Sequence, residues 1–446
     1  MTLQQWIERV EERTLRIGII GLGYVGLPLA LEFSEAGLAV LGFDIDAEKV
    51  CKLNASESYI VRISGAEIGA ARARGFEATE DFARVREVDA VLICVPTPLE
   101  EGTHTPDMSY VVGTIEAVAP HLREGQLVVL ESTTWPGTTE ELIVPAIERA
   151  GRRVLRNGGG AAELDGVLVA FSPEREDPGS STVPRREIPK VIGGVGPSAT
   201  EAARALYGAV FEQTVPVSSP AAAEMTKLLE NIYRCVNIAL VNEMKQIAAR
   251  LGLDIWEVID AAKTKPFGFQ AFYPGPGVGG HCIPVDPFYL SWKAEQTGFA
   301  ARFIELAGEV NEAMPRLVVD TIARAVAQVR PGAALAGAKV LVLGVAYKRD
   351  VDDLRESPAV TVLELLRHAG AEVAYNDPYF PEVGRGRHYD LNLRSTPLSE
   401  VERFDCVAIL TDHSAYDYRD IVARAKWVVD SRNATRGLDS AKIFRC

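Results

Sequence analysis

Paired cysteines, a metal-ligand cluster, a surplus of basic residues and a membrane-length apolar run are all missing from this sequence. Its six cysteines (Cys51, Cys94, Cys235, Cys282, Cys406 and Cys446) show no CxxC and no paired spacing. That fits a reducing compartment better than a disulfide framework, so a cytoplasmic location is expected. His281 adjoins Cys282, but no other ligand cluster accompanies them, and no metal is expected. Lys and Arg number 47 against 61 Asp and Glu, giving a formal charge of −14 and a pI near 5.1. A nucleic-acid partner is disfavoured, because a polyanion would be repelled. An anionic small ligand is not, since N–H groups and a few cations hold one locally. The uncharged run Ile17–Leu31 contains four glycines and follows Glu8, Glu11 and Glu12. It is too short to span a bilayer, so no membrane partner is expected.

What is present is a long globular chain. Its 446 residues, 47% apolar and 24% charged, suggest about two to four domains with ample cores. After an acidic amphipathic lead-in of one or two helical turns (residues 1–14), Leu15–Ile20 is a buried-strand run. Gly21-Leu22-Gly23-Tyr24-Val25-Gly26 follows, then a helical pattern to about Ala36, a second strand Leu38–Phe43, and Asp44. Strand, GxGxxG, helix, strand and acid within one short unit is a dinucleotide fingerprint. The glycines allow a tight turn and a close pass of the pyrophosphate at a helix N-terminus. Asp44 accepts from ribose hydroxyls and repels a 2′-phosphate, so the expected cofactor is NAD.

Further strands at Ala90–Val95, Leu127–Glu131 and Val167–Phe171 alternate with helical stretches and predict a parallel, doubly wound sheet. The loops after them (Pro96-Thr97-Pro98, the Ser132–Gly137 turn, and Ser172–Glu176) lie where ligands of such sheets bind. Residues 156–166, with their NGGG, read as a surface connection. From Ser219-Pro220 a long helix runs to about Arg250, carrying Lys227 and Asn231 one turn apart on one face. A functional pair and a solvated stripe both fit that spacing. A helix at Asp254–Lys263 and one from Arg302 to Val329 containing Pro315 complete an all-helical middle. After Pro331-Gly332 strands and helices resume, without a second GxGxxG. The predicted fold class is α/β: two Rossmann-like doubly wound parallel-sheet domains joined by a central all-helical domain.

Between the two helices of the middle lies Tyr273–Leu290, YPGPGVGGHCIPVDPFYL. A glycine- and proline-rich approach leaves Cys282 accessible, and Asp286-Pro287 reads as the start of a helix whose dipole favours a thiolate. A rigid turn around a half-buried thiol fits the same residues. A nicotinamide site joined to a nucleophilic Cys suggests oxidation beyond the aldehyde. A second hydride leaves only from a tetrahedral adduct, and a thiolate forms one, ending in a thioester. Carboxylates then activate water, while Lys227 and Asn231 suit the developing oxyanions.

From about Leu15 onward the chain resembles the UDP-glucose/GDP-mannose dehydrogenase family. The resemblance rests on Gly21–Pro28, Phe171–Glu176, Ala223–Asn231, Gly277–Pro287 and Tyr347–Pro358. It implies an NAD-binding domain (residues 15–215), a helical domain (216–330) that makes a homodimer or higher oligomer, and a domain (331–446) for the nucleoside diphosphate. It further implies Cys282 as nucleophile, Lys227 and Asn231 at the oxyanions, Asp286 acting with water as base, Glu174 in thioester hydrolysis and Thr134 positioning water. Asp286 as a helix cap only, and Glu174 as a salt-bridged strand end, are the alternatives. The NAD site implied comprises Gly21, Gly23, Tyr24, Val25, Gly26, Asp44, Pro96, Thr97 and Thr134. The sugar-nucleotide site implied comprises Glu174, Lys227, Asn231, Phe272, Tyr273, Gly279, Lys348 and Arg355. The Glu176-Asp177-Pro178 stretch departs from the pattern of relatives that carry a second glutamate there. His281 and Val285 stand where the UDP-glucose branch has Ser and Lys, and the loops are similar to the N-acetylglucosamine 6-dehydrogenase branch. The expected substrate is therefore UDP-N-acetylglucosamine, with UDP-N-acetylmannosamine and UDP-glucose as alternatives. A two-electron hydroxyacid dehydrogenase has no use for Cys282, and an NAD-binding sensor none for Lys227, Asn231, Cys282 and Asp286 together.

Overall fold

Apolar runs without polar alternation become strands buried on both faces, and that pattern builds the first sheet. The computed structural model describes all residues except 61, 101, 157–162, 176–182, 281, 333–334 and 387–388. The NGGG stretch, Glu176-Asp177-Pro178 and His281 lie outside the described residues. The chain divides into two units, Met1–Glu230 with Phe288–Phe299, and Asn231–Pro287 with Ala300–Cys446.

The first unit holds strands β1 (Arg16–Ile20), β2 (Ala39–Phe43), β3 (Glu77–Thr79), β4 (Ala90–Ile93), β5 (Leu127–Leu130), β6 (Leu168–Phe171), β7 (Lys190–Gly194) and β8 (Thr214–Val217). Their order in one sheet is β3-β2-β1-β4-β5-β6-β7-β8. All pairs are parallel except β6–β7, so the edge formed by β7 and β8 reverses the expected all-parallel pattern. Sequence missed β3, which has only three residues, and β7 and β8, which carry glycine or proline within Lys190–Gly194 and Thr214–Val217. The chain order switches direction between β1 and β4, which opens a crevice at their carboxyl ends.

The lead-in is more than two turns. Leu3–Glu11 is a nine-residue helix, opened by a capping box in which Thr2 and Gln5 exchange hydrogen bonds. It buries Leu3, Trp6 and Val10 against the sheet core. Arg9 grips the buried Asp89 with both terminal nitrogens, at 3.0 and 2.9 Å. Arg123 (2.7 Å) and the Arg16 N–H (3.0 Å) complete the carboxylate's shell.

The long helix Pro220–Leu251, whose Ser219 hydroxyl accepts from the Ala222 N–H, leaves the first unit at Glu230, supplies residues 231–251 to the second, and ends before Gly252 at φ +70°. Asp254 caps the helix Ile255–Ala262, and Pro315 lies inside the helix Arg302–Ala327. Strands β9 (Lys339–Leu343), β10 (Glu372–Asn376), β13 (Cys406–Ile409), β14 (Val428–Asp430) and β15 (Ile443–Arg445) form a parallel sheet ordered β10-β9-β13-β14-β15. A separate antiparallel pair, β11 (Glu382–Arg385) with β12 (Asp390–Arg394), was not expected from sequence. Among the described residues no helix is long and apolar enough to cross a membrane.

Burial pushes the Asp89 carboxyl up, but bonds from Arg9, the Arg16 N–H and Arg123 carry it below its ordinary 3.8. A depressed carboxyl contributes stability above its unfolded value and loses it as pH falls through the folded one. Asp89→Asn is therefore expected to destabilise by about 1–3 kcal/mol at neutral pH. Urea unfolding should show the gap closing as pH falls below 3.8.

Candidate active site

The GxGxxG turn is tight for reasons internal to the chain at two glycines and open at the third. Gly21 sits at φ +88°, and a Cβ there would stand 2.7 Å from the Cys94 carbonyl oxygen. A Cβ on Gly26 would meet the Gly21 oxygen at 1.9 Å, whereas one on Gly23 would meet nothing within 4 Å. The helix Gly26–Glu35 begins at this turn, so the positive end of its dipole lies beside the open glycine. Tyr24 is exposed, Val25 half-buried, and the Tyr24 carbonyl accepts from Arg62. Asp44, at the end of β2, is buried and accepts from the Leu22 N–H (2.9 Å) and the Asp46 N–H (3.0 Å). Each oxygen retains lone-pair capacity for a ribose hydroxyl. After β4, Pro96 is exposed and Thr97 buried. Thr134, on the loop after β5, is wholly buried, and its hydroxyl has no partner among the described residues. An orphaned buried hydroxyl is costly unless a ligand or water satisfies it. These features fit a bound dinucleotide.

After β6, Glu174 is half-buried and accepts from the Arg175 N–H at 2.8 Å. Lys227 is buried on the long helix. Glu224, one turn earlier, was missed from sequence. It accepts from the Gly137 N–H (2.6 Å), the Thr139 N–H (2.9 Å) and the Thr139 hydroxyl (2.7 Å), fixing the turn beyond Thr134. Burial pushes its carboxyl up to about 6, against those bonds.

In the second unit the Cys282 carbonyl accepts from the N–H of Asp286 at 2.8 Å and of Val285 at 3.3 Å. Cys282 therefore opens the first turn of the helix Asp286–Gln296, and Asp286 is its first helical residue instead of its cap. The Asp286 carboxylate, 1% exposed, accepts from the Asn231 side-chain amide at 2.6 Å. Cys282, Asp286 and Asn231 are thus brought together within the second unit, while Lys227, one helical turn before Asn231, belongs to the first.

Other predicted residues lie differently. The Gly280 N–H donates to the Arg355 carbonyl at 2.9 Å, while the Arg355 guanidinium grips Asp353 through Nε and Nη2. A Cβ on Gly279 would lie 2.8 Å from the Glu356 carbonyl oxygen and 2.7 Å from Tyr347 Cβ, so this glycine admits the Tyr347–Pro358 loop. Lys348 is half-buried on that loop. The Tyr273 hydroxyl bonds Asp260 and Lys263, its ring stacks on Trp256, and Phe272 packs edge-on to Tyr233. Asn242 and Asn311, also missed, hold the proline-rich approach through the Gly275 N–H (3.0 Å) and their own bond (3.0 Å).

The first unit carries a dinucleotide turn on a doubly wound sheet, and in the second a cysteine opens a helix beside a carboxylate, features that fit an NAD-dependent oxidoreductase. Models of the UDP-glucose/GDP-mannose dehydrogenase family match residues 15–211 (NAD binding domain), 221–313 (central domain) and 341–437 (UDP binding domain). The chain belongs to that family, and it is an NAD-dependent dehydrogenase of a UDP-linked sugar. A UDP-N-acetyl-D-mannosamine dehydrogenase of Pyrococcus horikoshii is 34% identical over 443 residues, covering 97% of this chain and 98% of that one. One from Yersinia pestis is 35% identical over 428 residues, covering 94% and 99%. The solved structure of a UDP-glucose dehydrogenase from Pyrobaculum islandicum superposes with a TM-score of 0.83 at 29% identity, covering 96% of each chain.

Asp44→Ala should narrow the preference for NAD over NADP at least about tenfold, since opposing like charges costs that much or more. Parallel kcat/KM measurements with the two cofactors check this. Equal use of both by the parent protein would remove Asp44 from the ribose.

Proposed function

We propose that this protein oxidises the terminal hydroxymethyl of UDP-N-acetyl-D-mannosamine to the carboxylate, consuming two NAD. The observation that carries the chemistry is the turn in which Cys282 opens a helix whose first residue, Asp286, is bonded to Asn231. The manno sugar replaces the N-acetylglucosamine expected from sequence, because the two curated relatives are named for N-acetylmannosamine. One inverted carbon leaves no mark that a single sequence displays.

The balance is RCH2OH + 2 NAD+ + H2O → RCOO− + 2 NADH + 3 H+. Bound NAD supplies the hydride acceptor for each oxidation. In the first, Asp286 takes the hydroxyl proton through a water while Lys227 and Asn231 stabilise the alkoxide. Cys282 then adds through sulfur to the aldehyde carbon, and the same pair holds the oxyanion of the thiohemiacetal. Loss of the second hydride leaves a thioester on Cys282. Water, placed by Thr134, adds to its carbonyl, gives a proton to Glu174, and the C–S bond breaks with its electron pair returning to sulfur. Tyr24, Val25, Pro96 and Thr97 line the NAD side in this proposal, and Phe272, Tyr273, Gly279, Lys348 and Arg355 the sugar-nucleotide side.

The domain boundaries 15–215, 216–330 and 331–446 are kept in this proposal. A homodimer is supported by Tyr233, Leu240, Met244, Ile247 and Leu251, exposed along the long helix at near-heptad spacing. A cytoplasmic location is supported by the acidic, cysteine-unpaired composition.

Cys282→Ser should lower turnover by about 10³-fold or more while NAD and substrate still bind, because a hydroxyl is a poor nucleophile at neutral pH. Full acid formation by Cys282→Ala would rule out covalent catalysis. For the sugar, kcat/KM should be highest on UDP-N-acetylmannosamine when measured beside UDP-N-acetylglucosamine, UDP-glucose and GDP-mannose. A higher value on UDP-glucose would overturn the substrate and spare the Cys282 chemistry.

A further inference from the structure

The segment that carries Glu174 is fastened on both sides of it, and the two fastenings differ in kind. On the near side, the Lys190 ammonium donates to the Pro173 carbonyl at 3.2 Å. That ammonium also meets Glu131 at 2.6 Å, both side chains being almost fully buried, and the Tyr207 hydroxyl donates to the other Glu131 oxygen. Ser172 is tied to its neighbours as well, its hydroxyl donating to the Val191 carbonyl at 2.8 Å. Pro173 therefore belongs to the rigid interior of the sheet.

On the far side, the Arg175 guanidinium spends all three nitrogens. Nη1 donates to the Pro189 carbonyl at 2.7 Å, while Nε (3.2 Å) and Nη2 (2.6 Å) take the two oxygens of Glu230. A fork-to-fork pair of this kind fixes direction as well as distance. Glu230 stands three residues beyond Lys227 on the long helix, within the same unit. The bridge therefore ties the turn bearing the proposed oxyanion donor to the residue next to the proposed hydrolytic carboxylate.

We infer that the Arg175–Glu230 ion pair is a positioning clamp for the hydrolytic half of the reaction, setting Glu174 against the Lys227 turn. This rests on the assignment of Glu174 given above. The pair is partly exposed, with side-chain exposures of 25% and 35%, so its loss costs little in stability. Misplacing a reacting group by about 1 Å costs on the order of 10²-fold in rate. The clamp is therefore weak as a staple and strong as an aiming device. Its loss spares the first oxidation and the formation of the Cys282 adduct, which need no carboxylate at this position. It slows only the step in which water adds to the thioester carbonyl and passes its proton to Glu174.

The test uses the full chain with Arg175→Gln, Glu230→Gln, the charge swap Arg175→Glu with Glu230→Arg, and Glu174→Gln as comparator. Steady-state turnover should fall about 10²-fold in each single clamp variant while the initial NADH burst stays near the parental amplitude. Intact-protein mass spectrometry should show the sugar thioester accumulating on Cys282, and the swap should recover a large part of the lost rate. Parental hydrolysis in both Gln variants would overturn the clamp, as would a burst that collapses in step with turnover and a fallen Tm. Accumulation in Glu174→Gln but in neither clamp variant would overturn the clamp alone. No accumulation in Glu174→Gln would overturn the Glu174 assignment and the clamp with it.

Discussion

The bond between Asn231 and Asp286 is the constraint on which the candidate catalytic turn depends. A carboxylate 1% exposed has lost nearly all its water and must recover the cost from fixed donors. The Asn231 amide at 2.6 Å is one such donor, and it comes from the long helix. Because Asp286 closes the first turn on the Cys282 carbonyl, fixing the carboxylate also fixes the cysteine backbone. Helix periodicity then fixes Lys227 one turn before Asn231. The carboxylate and the cysteine backbone thus inherit their places from one polar contact, and a slip of the long helix by one residue would unpair the buried carboxylate.

The two α/β units solve the strand–turn–strand problem with the same device and different fillings. In the first, Asp44 ends β2 and accepts from the Leu22 N–H of the first turn. In the second, Asp377 follows β10 and accepts from the Val345 and Ala346 N–H groups at 2.7 and 3.2 Å. The second turn adds a buried histidine, with His413 Nε2 3.0 Å from the same Asp377 oxygen and Nδ1 accepting from the Asp350 N–H. Gly344, at φ +79°, is pressed by Thr411, to whose carbonyl oxygen an added Cβ would come within 2.5 Å. Where the first turn is open at Gly23, the second is filled by the chain's own side chains.

Strands β1, β2, β4, β5 and β6 and the Cys282 loop were legible because they are written in local signals: unbroken apolar runs, a glycine fingerprint, a proline-bounded loop. The misses have a common cause. β3 and β8 are short strands at the two edges of the sheet and β7 ends in two glycines, so none leaves a clear trace in periodicity. The role of Gly279 and the engagement of Arg355 with Asp353 depend on which loop folds onto which. Glu224, Asn242 and Asn311 look like ordinary helix-face polar residues until their partners, 85, 33 and 69 positions away, are known. The lead-in was expected as one or two helical turns, and its greater length was also legible, since Thr2 and Gln5 stand at capping-box spacing.

The remaining physical question is how a chain of net charge −14 accommodates ligands rich in phosphate. Bulk charge works against it, so attraction has to be local. At the first site the means are main-chain: a helix N-terminus beside an open glycine, with Asp44 turned inward to brace the Leu22 N–H. Along the Tyr347–Pro358 loop the cations are held in ion pairs, Arg355 with Asp353 and Arg349 with Asp412. Pairing keeps each guanidinium in a fixed orientation and keeps the local field near neutral. In the proposed sugar-nucleotide site a phosphate would have to compete with a carboxylate for each preoriented fork, which would favour ligands that supply further contacts of their own.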